Sequence, residues 1–117
     1  MRNETPQYEY ADGNANRYIL TAYYLEYFPV TPQESSSGIY HGGKPFKVRL
    51  TPAEYKSLQL LFEKALVDTA CHIPSRTMMS GLIIKHHAAR TERVIIAPAA
   101  SIRQEIEAAL QPFHPKQ

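Results

Sequence analysis

The sequence contains a single cysteine, Cys71, and no tryptophan among its 117 residues. One cysteine cannot form an internal disulfide, so nothing in the sequence indicates stabilisation by oxidation. Cys71 also follows the predicted carboxyl end of a helix, where the helix dipole is negative and disfavours a thiolate. We therefore expect an inert or buried thiol rather than a catalytic one.

Excess charge of one sign and long hydrophobic runs are also lacking. Thirteen basic and eleven acidic residues give a net charge of +2 with histidine neutral, which is too small to require a polyanionic partner. Residues 1–16 are polar and contain acids, with no apolar run typical of a signal peptide or an anchor. We expect a cytoplasmic protein with no membrane partner.

Motifs that carry catalysis or bind metal are missing as well. No histidine stands in a His-Glu-x-x-His pattern, no Cys-x-x-Cys occurs, and Gly-x-Ser-x-Gly is absent. The pair His86-His87 is adjacent, so on a strand the two rings point to opposite sides and cannot share one ion. The sequence therefore predicts no metal, no cofactor and no catalytic residue, and favours a non-enzymatic protein.

The clearest local structure lies between Lys47 and Asp68. Thr51 is a good N-cap, Pro52 suits the first helical position, and Glu54 stands where a capping box needs it. Apolar residues then recur at spacings of three and four: Tyr55, Leu58, Leu61, Phe62, Ala65 and Leu66. This pattern predicts a short strand followed by an amphipathic helix.

The region before this helix is rich in tyrosine. Residues 18–28 contain aromatic and aliphatic side chains that favour a long strand ended by Pro29, although a helix capped by Asn16 fits the same residues. Residues 1–16 show little periodicity and are predicted to be flexible. Residues 31–38 are predicted to be a loop, and Gly42-Gly43 to be the turn of a hairpin leading into the strand at Phe46–Leu50.

After the helix, two apolar runs begin at Gly81 and Val94 and are separated by the polar residues 85–93. A second hairpin is the favoured interpretation. The alternative is a single helix over residues 76–93, which Gly81 and the Ile-Ile pairs count against. Ser101 then caps a final amphipathic helix that ends before Pro112.

The order of elements is thus ββ(β)αββα. It predicts an α+β domain of two layers, with an antiparallel sheet of about four to five strands and two helices on one face. Residues 17–113 are predicted to form this single domain, and residues 114–117 a flexible tail.

Two surfaces are candidates for binding. The first is aromatic and comprises Tyr23, Tyr24 and Tyr27, a residue type enriched at protein interfaces. The second is a basic hairpin tip, with Arg76 upstream, formed by Lys85, His86, His87, Arg90 and Arg93. Such a tip can reach phosphate oxygens or an acidic protein surface, or it can simply keep the sheet edge from pairing.

Residues 48–61, with Val-Arg-Leu-Thr-Pro-Ala-Glu-Tyr followed by Leu58 and Leu61, resemble the strand-to-helix junction of response-regulator winged-helix DNA-binding domains. That family continues with a basic recognition helix and a closing hairpin. Here a hairpin-like segment follows directly, and a further helix ends the domain. The resemblance is confined to this junction and implies DNA binding as an alternative function.

The sequence therefore favours a small protein-interaction domain, acting on a protein partner or on a second copy of itself. A nucleic-acid-binding module using a basic hairpin or a winged-helix-like element is the alternative. Salt dependence separates the two, because phosphate contacts release counterions and weaken steeply with added salt.

Overall fold

The computed structural model describes residues 6–14, 16–29, 44–77 and 79–114. Its strands and helices are β1 (Gln7–Ala11), β2 (Arg17–Leu20), β3 (Tyr24–Phe28), β4 (Phe46–Arg49), α1 (Pro52–Val67), β5 (His72–Ile73), β6 (Gly81–His87), β7 (Arg90–Ile96) and α2 (Ser101–Leu110). Short 3-10 turns, Thr69–Cys71 and Gln111–Phe113, follow α1 and α2. The predicted loop at 31–38 and the Gly42-Gly43 turn lie outside the described residues.

The strands form one antiparallel sheet of seven in the order β4-β3-β2-β1-β6-β7-β5. The mixed α+β class is confirmed, with more strands than expected. β1 lies at the centre and pairs with β2 and β6. The prediction that residues 1–16 are flexible is thus wrong for Gln7–Ala11, because Tyr8 and Tyr10 alternate with polar residues and are buried in the core.

Both helices lie on one face of the sheet. Tyr8 and Tyr10 point to the same side of β1; Tyr8 donates a hydrogen bond to Glu63 on α1, and Tyr10 donates one to Glu107 on α2. The core lies between the sheet and the two helices. At its centre the ring of Phe62 stacks on both tyrosines. Neither helix combines the length and apolar character that crossing a bilayer requires, in the part of the chain described here.

Residues 18–28 are extended, but they form a hairpin and not one long strand. The chain reverses between β2 and β3, where the backbone N–H of Thr21 donates to the carbonyl of Tyr24 at 2.9 Å. The Thr21 hydroxyl accepts from the Tyr24 N–H at 3.2 Å. A side-chain hydrogen bond thus supports a turn that lacks glycine, proline or asparagine, which is why the composition did not indicate it. The helix alternative is wrong.

The predicted capping of α1 is confirmed. Thr51 Oγ1 accepts from the Glu54 N–H at 3.1 Å, and the Glu54 carboxylate accepts from the Thr51 N–H at 2.8 Å. The buried positions of the helix all fall on the predicted stripe: Leu58, Phe62, Ala65 and Leu66. This junction directs the chain from the sheet edge into the helical layer.

The second predicted hairpin is also confirmed, and the helix alternative over 76–93 is wrong. β6 and β7 pair from Gly81 with Ile96 to His87 with Arg90, leaving only Ala88 and Ala89 in the turn. Ala88 has φ of 55°, which is unusual for a residue with a side chain. The tip is therefore shorter than expected, and residues 85–87 and 90–93 belong to strands.

His114, predicted to start a flexible tail, is instead held against the sheet. Its Nε2 lies 2.6 Å from the hydroxyl of Tyr18. Its ring packs edge-on against Tyr18, Tyr27 and Phe46, with centroid distances of 5.7, 4.7 and 5.0 Å. The tail prediction is wrong for this residue, while residues 115–117 lie outside the described chain.

Candidate interaction surface

The face of the sheet that points away from α1 and α2 is the candidate site, and we call it the open face. Because side chains alternate along a strand, the register fixes which ones lie here. They are Gln7, Glu9, Ala11, Arg17, Ile19, Tyr24, Glu26, Phe28, Lys47, Arg49, Ile73, Leu82, Ile84, His86, Thr91, Arg93 and Ile95. Of these, Ala11 and Ile95 are buried. No described helix packs on this side, since the buried residues of both helices join the core of the other face.

A row of side chains crosses six strands of the open face. Adjacent partners in this row are Lys47, Glu26, Ile19, Glu9, Ile84 and Arg93, from β4 to β7. Each aliphatic side chain thus stands between charged neighbours. The result is a surface that is neither wholly apolar nor of one charge, as protein interfaces commonly are.

Aromatic rings on β3 are flanked by cations. Lys47 Nζ lies 4.4 Å from the ring centroid of Tyr24, and the guanidinium carbon of Arg49 lies 5.9 Å from it. The guanidinium carbon of Arg17 lies 5.5 Å from the ring centroid of Phe28, which is 38% exposed. Such cation–π contacts hold the long basic side chains against the rings of the sheet.

Carboxylates balance most of these cations. Glu9 lies 3.8 Å from Arg17 and 2.8 Å from the Nε2 of His86. Glu26 lies 4.0 Å from Lys47. Exposed pairs of this kind add little stability, so their main effect is on the electrostatic character of the surface. The open face is therefore nearly neutral in its middle and more basic toward Arg49 and Arg93.

The three predicted tyrosines are separated by the β2–β3 turn. Tyr24 lies on the open face, and Tyr23 lies in the turn, where it is 65% exposed. Tyr27, one strand position out of phase with Tyr24 and Phe28, points to the helices and is 3% exposed. Tyr27 therefore belongs to the core and is not part of a surface.

The predicted basic tip is likewise divided, because neighbouring strand residues point to opposite sides. Lys85 points to α1 and lies 2.6 Å from Glu63, with its side chain 17% exposed. His87 and Arg90 share that side at the hairpin end, whereas His86 and Arg93 lie on the open face. A single patch containing all of these cations does not form.

Arg76 lies outside this hairpin and joins two loops. Its guanidinium donates to the carbonyl of Ser80 at 2.7 Å and to the carbonyl of Asp12 at 3.4 Å. Ser80 itself is fully buried and closes the same turn through Thr77. The position of Arg76 is explained by this structural role.

The outer edge of β7 explains the remaining charges of the hairpin. β5 pairs only with Ile95 and Ile96, so within the described residues 90–94 the outer edge of β7 has no strand partner. This stretch carries Arg90, Glu92 and Arg93, all exposed. Charged side chains on an open edge oppose pairing with another chain, which favours the structural interpretation of the basic tip.

Two polar networks join the sheet to the helices, and the sequence did not indicate them. Burial would raise the pKa of Glu63, but hydrogen bonds from Lys85 and Tyr8 outweigh it and lower that pKa. Burial, reinforced by the hydrogen bond to Glu63, raises the pKa of Tyr8. Burial and the bond to Glu107 likewise raise the pKa of Tyr10. The phenols therefore stay protonated and act as donors that hold the layers together.

Metal binding and nucleophilic chemistry depend on the histidine, cysteine and acidic side chains of the described residues. No three of their histidine, cysteine, aspartate and glutamate side chains cluster closely enough to hold a metal ion. Cys71 is buried, and burial together with the nearby Asp68 raises its thiol pKa. A thiol in this state is a poor nucleophile at neutral pH.

Comparison of the chain with protein-family models, with curated proteins and with solved structures finds no match. Function is therefore inferred from the chemistry of the open face.

Proposed function

We propose that this protein is a non-enzymatic interaction module that docks a protein partner on the open face. The observation that carries the proposal is the row across six strands in which each aliphatic side chain stands between charged ones. Ile19, Leu82 and Ile84 supply apolar area that burial against a partner would remove from water. Tyr24 and Phe28 extend this area with the residue types that dominate interface energetics.

The distribution of charge favours a protein partner over a nucleic acid. Glu9 and Glu26 stand in the middle of the open face and pair with its cations. A phosphate backbone placed there would meet two carboxylates, which costs affinity. A protein surface can instead present complementary charges of both signs along the same row.

Nucleic-acid binding is the second candidate, and Tyr24 is the observation in its favour. The half-buried ring of Tyr24 lies under Lys47 and near Arg49, so a base that displaces Lys47 can stack on the ring while the two cations contact its phosphate. This site is small and lies toward one end of the sheet. Binding through it would depend on Tyr24 and weaken steeply with salt.

The test is co-purification from the native host with the wild-type chain and two variants as bait. Ile19→Lys places a cation in the centre of the open face, between Glu9 and Glu26, where the sheet can accommodate it. Val67→Lys makes a similar change on the exposed end of α1, far from this surface, and serves as the matched control.

We expect a protein partner to be recovered with the wild-type bait and with Val67→Lys, and to be lost with Ile19→Lys. Sedimentation of the purified chain identifies the case in which the partner is a second copy. Recovery of the same protein by all three baits would contradict the proposal. Recovery of nucleic acid that is lost with Tyr24→Ala would instead support the second candidate.

A further inference from the structure

A cleft of about 770 Å³ lies beside the open face, where the β2–β3 turn meets the start of α1. Ala22, Leu50 and Pro52 give it apolar walls, and Tyr23 and Tyr55 add aromatic surface. This volume falls within the range of about 300–1,000 Å³ that is typical of small-ligand sites. The cleft thus has the size and the lining of a binding site for a mostly apolar molecule.

Cations supply the polar part of this lining. Arg49 and Lys56 both line the cleft, and no carboxylate lines it among the described residues. Neither cation forms an ion pair within the described chain, in contrast to Arg17 and Lys47 on the open face. The cleft is therefore positively charged, and an anionic group would be attracted to it.

The start of α1 restricts which anion fits. Phosphate sites at helix ends depend on several free backbone N–H groups. Here Pro52 has no N–H, and the N–H groups of Thr51 and Glu54 are used by the capping box. The Glu54 carboxylate also lies in the first turn. The helix end therefore adds few of the donors that the several oxygens of a phosphate require, whereas the two oxygens of a carboxylate are matched by the paired donors of one guanidinium, that of Arg49.

We propose that this cleft binds a carboxylate attached to an apolar, preferably aromatic, body. Arg49 binds the carboxylate through paired N–H donors, Lys56 adds a second positive charge, and Tyr23 and Tyr55 contact the apolar body. The inference does not rest on docking at the open face. Substitution of Ile19 alters that face without touching the cleft, so the two proposals can fail separately.

A free aromatic acid and the carboxyl terminus of a peptide both present this chemistry. The probes are therefore 2-naphthoate and the tetrapeptide Ac-Ala-Ala-Ala-Phe with a free carboxyl terminus. Each has a neutral counterpart of nearly the same shape, 2-naphthamide and the peptide amide. Titration of the full isotope-labelled chain, followed by amide chemical shifts, reports affinity and location together.

We expect at least one acid to shift the amides of Ala22, Tyr23, Arg49 and Lys56, and to bind about tenfold or more tightly than its neutral amide. Arg49→Gln should weaken that binding about tenfold, because the bidentate contact is lost. Arg90→Gln changes an exposed arginine on β7, toward the opposite edge of the sheet from β4, and is the control that should leave the binding unchanged.

Which acid binds identifies the source of the carboxylate: the naphthoate indicates a small molecule, and the tetrapeptide indicates a chain terminus. Equal binding of acid and amide would overturn the proposal, as would unchanged binding by Arg49→Gln. Absence of shifts at the cleft with both acids would overturn it as well. Because Arg49 is exposed, the amide spectra of the free variants are expected to match that of the wild type, and this comparison controls for a loss of folding.

Discussion

The Nζ of Lys85 lies 2.6 Å from the carboxylate of Glu63, which also accepts a hydrogen bond from the hydroxyl of Tyr8. This contact joins the β6–β7 hairpin and β1 to α1. It also gives a structural role to a cation that the sequence assigned to a binding surface. Lys85 is part of the connection between the two layers.

Lys85→Met should therefore destabilise the fold by about 1–2 kcal/mol, since it removes a charged hydrogen bond from a partly buried carboxylate. The matched control is Lys64→Met, because Lys64 is exposed and lies 3.6 Å from the exposed Glu105. Its loss should cost about 0.5 kcal/mol or less. Urea unfolding at pH 7 measures the unfolding free energy of both variants. Equal losses in the two would contradict this role for Lys85.

The Glu63 network should also make the fold sensitive to acid. The pKa of Glu63 is lowered in the folded protein, so its carboxylate stabilises the fold above the usual pKa of 4.5. This stability is lost as the pH falls through the lowered pKa. Glu63→Gln should flatten the decrease in unfolding free energy below pH 4.5, as measured by urea titration at several pH values. An unchanged slope would argue against the network.

His114 should produce a second pH dependence at a higher pH. Burial lowers its pKa against a smaller opposing effect of Asp12, so the neutral ring is favoured in the folded state. Stability from this group is complete above the usual pKa of 6.5 and is lost as the pH falls below it. His114→Phe should therefore lose less stability than the wild type between pH 7.5 and 5.5.

Tyr18→Phe is the control for that experiment, because it removes the hydroxyl partner of His114 and keeps the titrating ring. It should lower stability at all of these pH values and preserve most of the pH dependence. If His114→Phe retained the full wild-type dependence of stability on pH, His114 would not be the source of that dependence.

The turn between β6 and β7 offers a stabilising change. Ala88 has φ of 55° at the first central position of a two-residue turn, where a type II′ geometry favours glycine. Ala88→Gly should stabilise the protein by about 0.5–1 kcal/mol. Ala89→Gly, with no such strain to relieve, should be neutral or destabilising. Thermal unfolding compares the stabilities of the two variants. A stabilising Ala89→Gly together with a destabilising Ala88→Gly would contradict the turn geometry.

Local signals were sufficient for part of the fold. The capping of α1 by Thr51 and Glu54 and its buried stripe follow from short-range chemistry, and both were predicted. β1 was missed because the polar residues around it concealed the alternation of Tyr8 and Tyr10. Its central position depends on pairing with β6, more than sixty residues away in the chain, as in the pair Tyr10 and Ile83.

The candidate site, like the fold, could be predicted from the sequence only in part. Tyr24 was predicted as a surface residue from composition, but its neighbours depend on the turn at Thr21, which reverses the chain and sets the register. The open face brings together side chains from six strands, such as Lys47, Ile19 and Arg93. No local pattern encodes that row, because a shift of one residue in any strand would move its side chains to the other face.

The most direct test of docking at the open face is methyl cross-saturation with the partner recovered by co-purification. The protein is labelled at isoleucine, leucine and valine methyl groups, and the partner is irradiated. The account predicts signal loss at Ile19, Leu82 and Ile84, with the methyl groups of Leu60 and Val67 on the exposed side of α1 unaffected. Signal loss at Leu60 and Val67, with Ile19 and Ile84 unchanged, would contradict it.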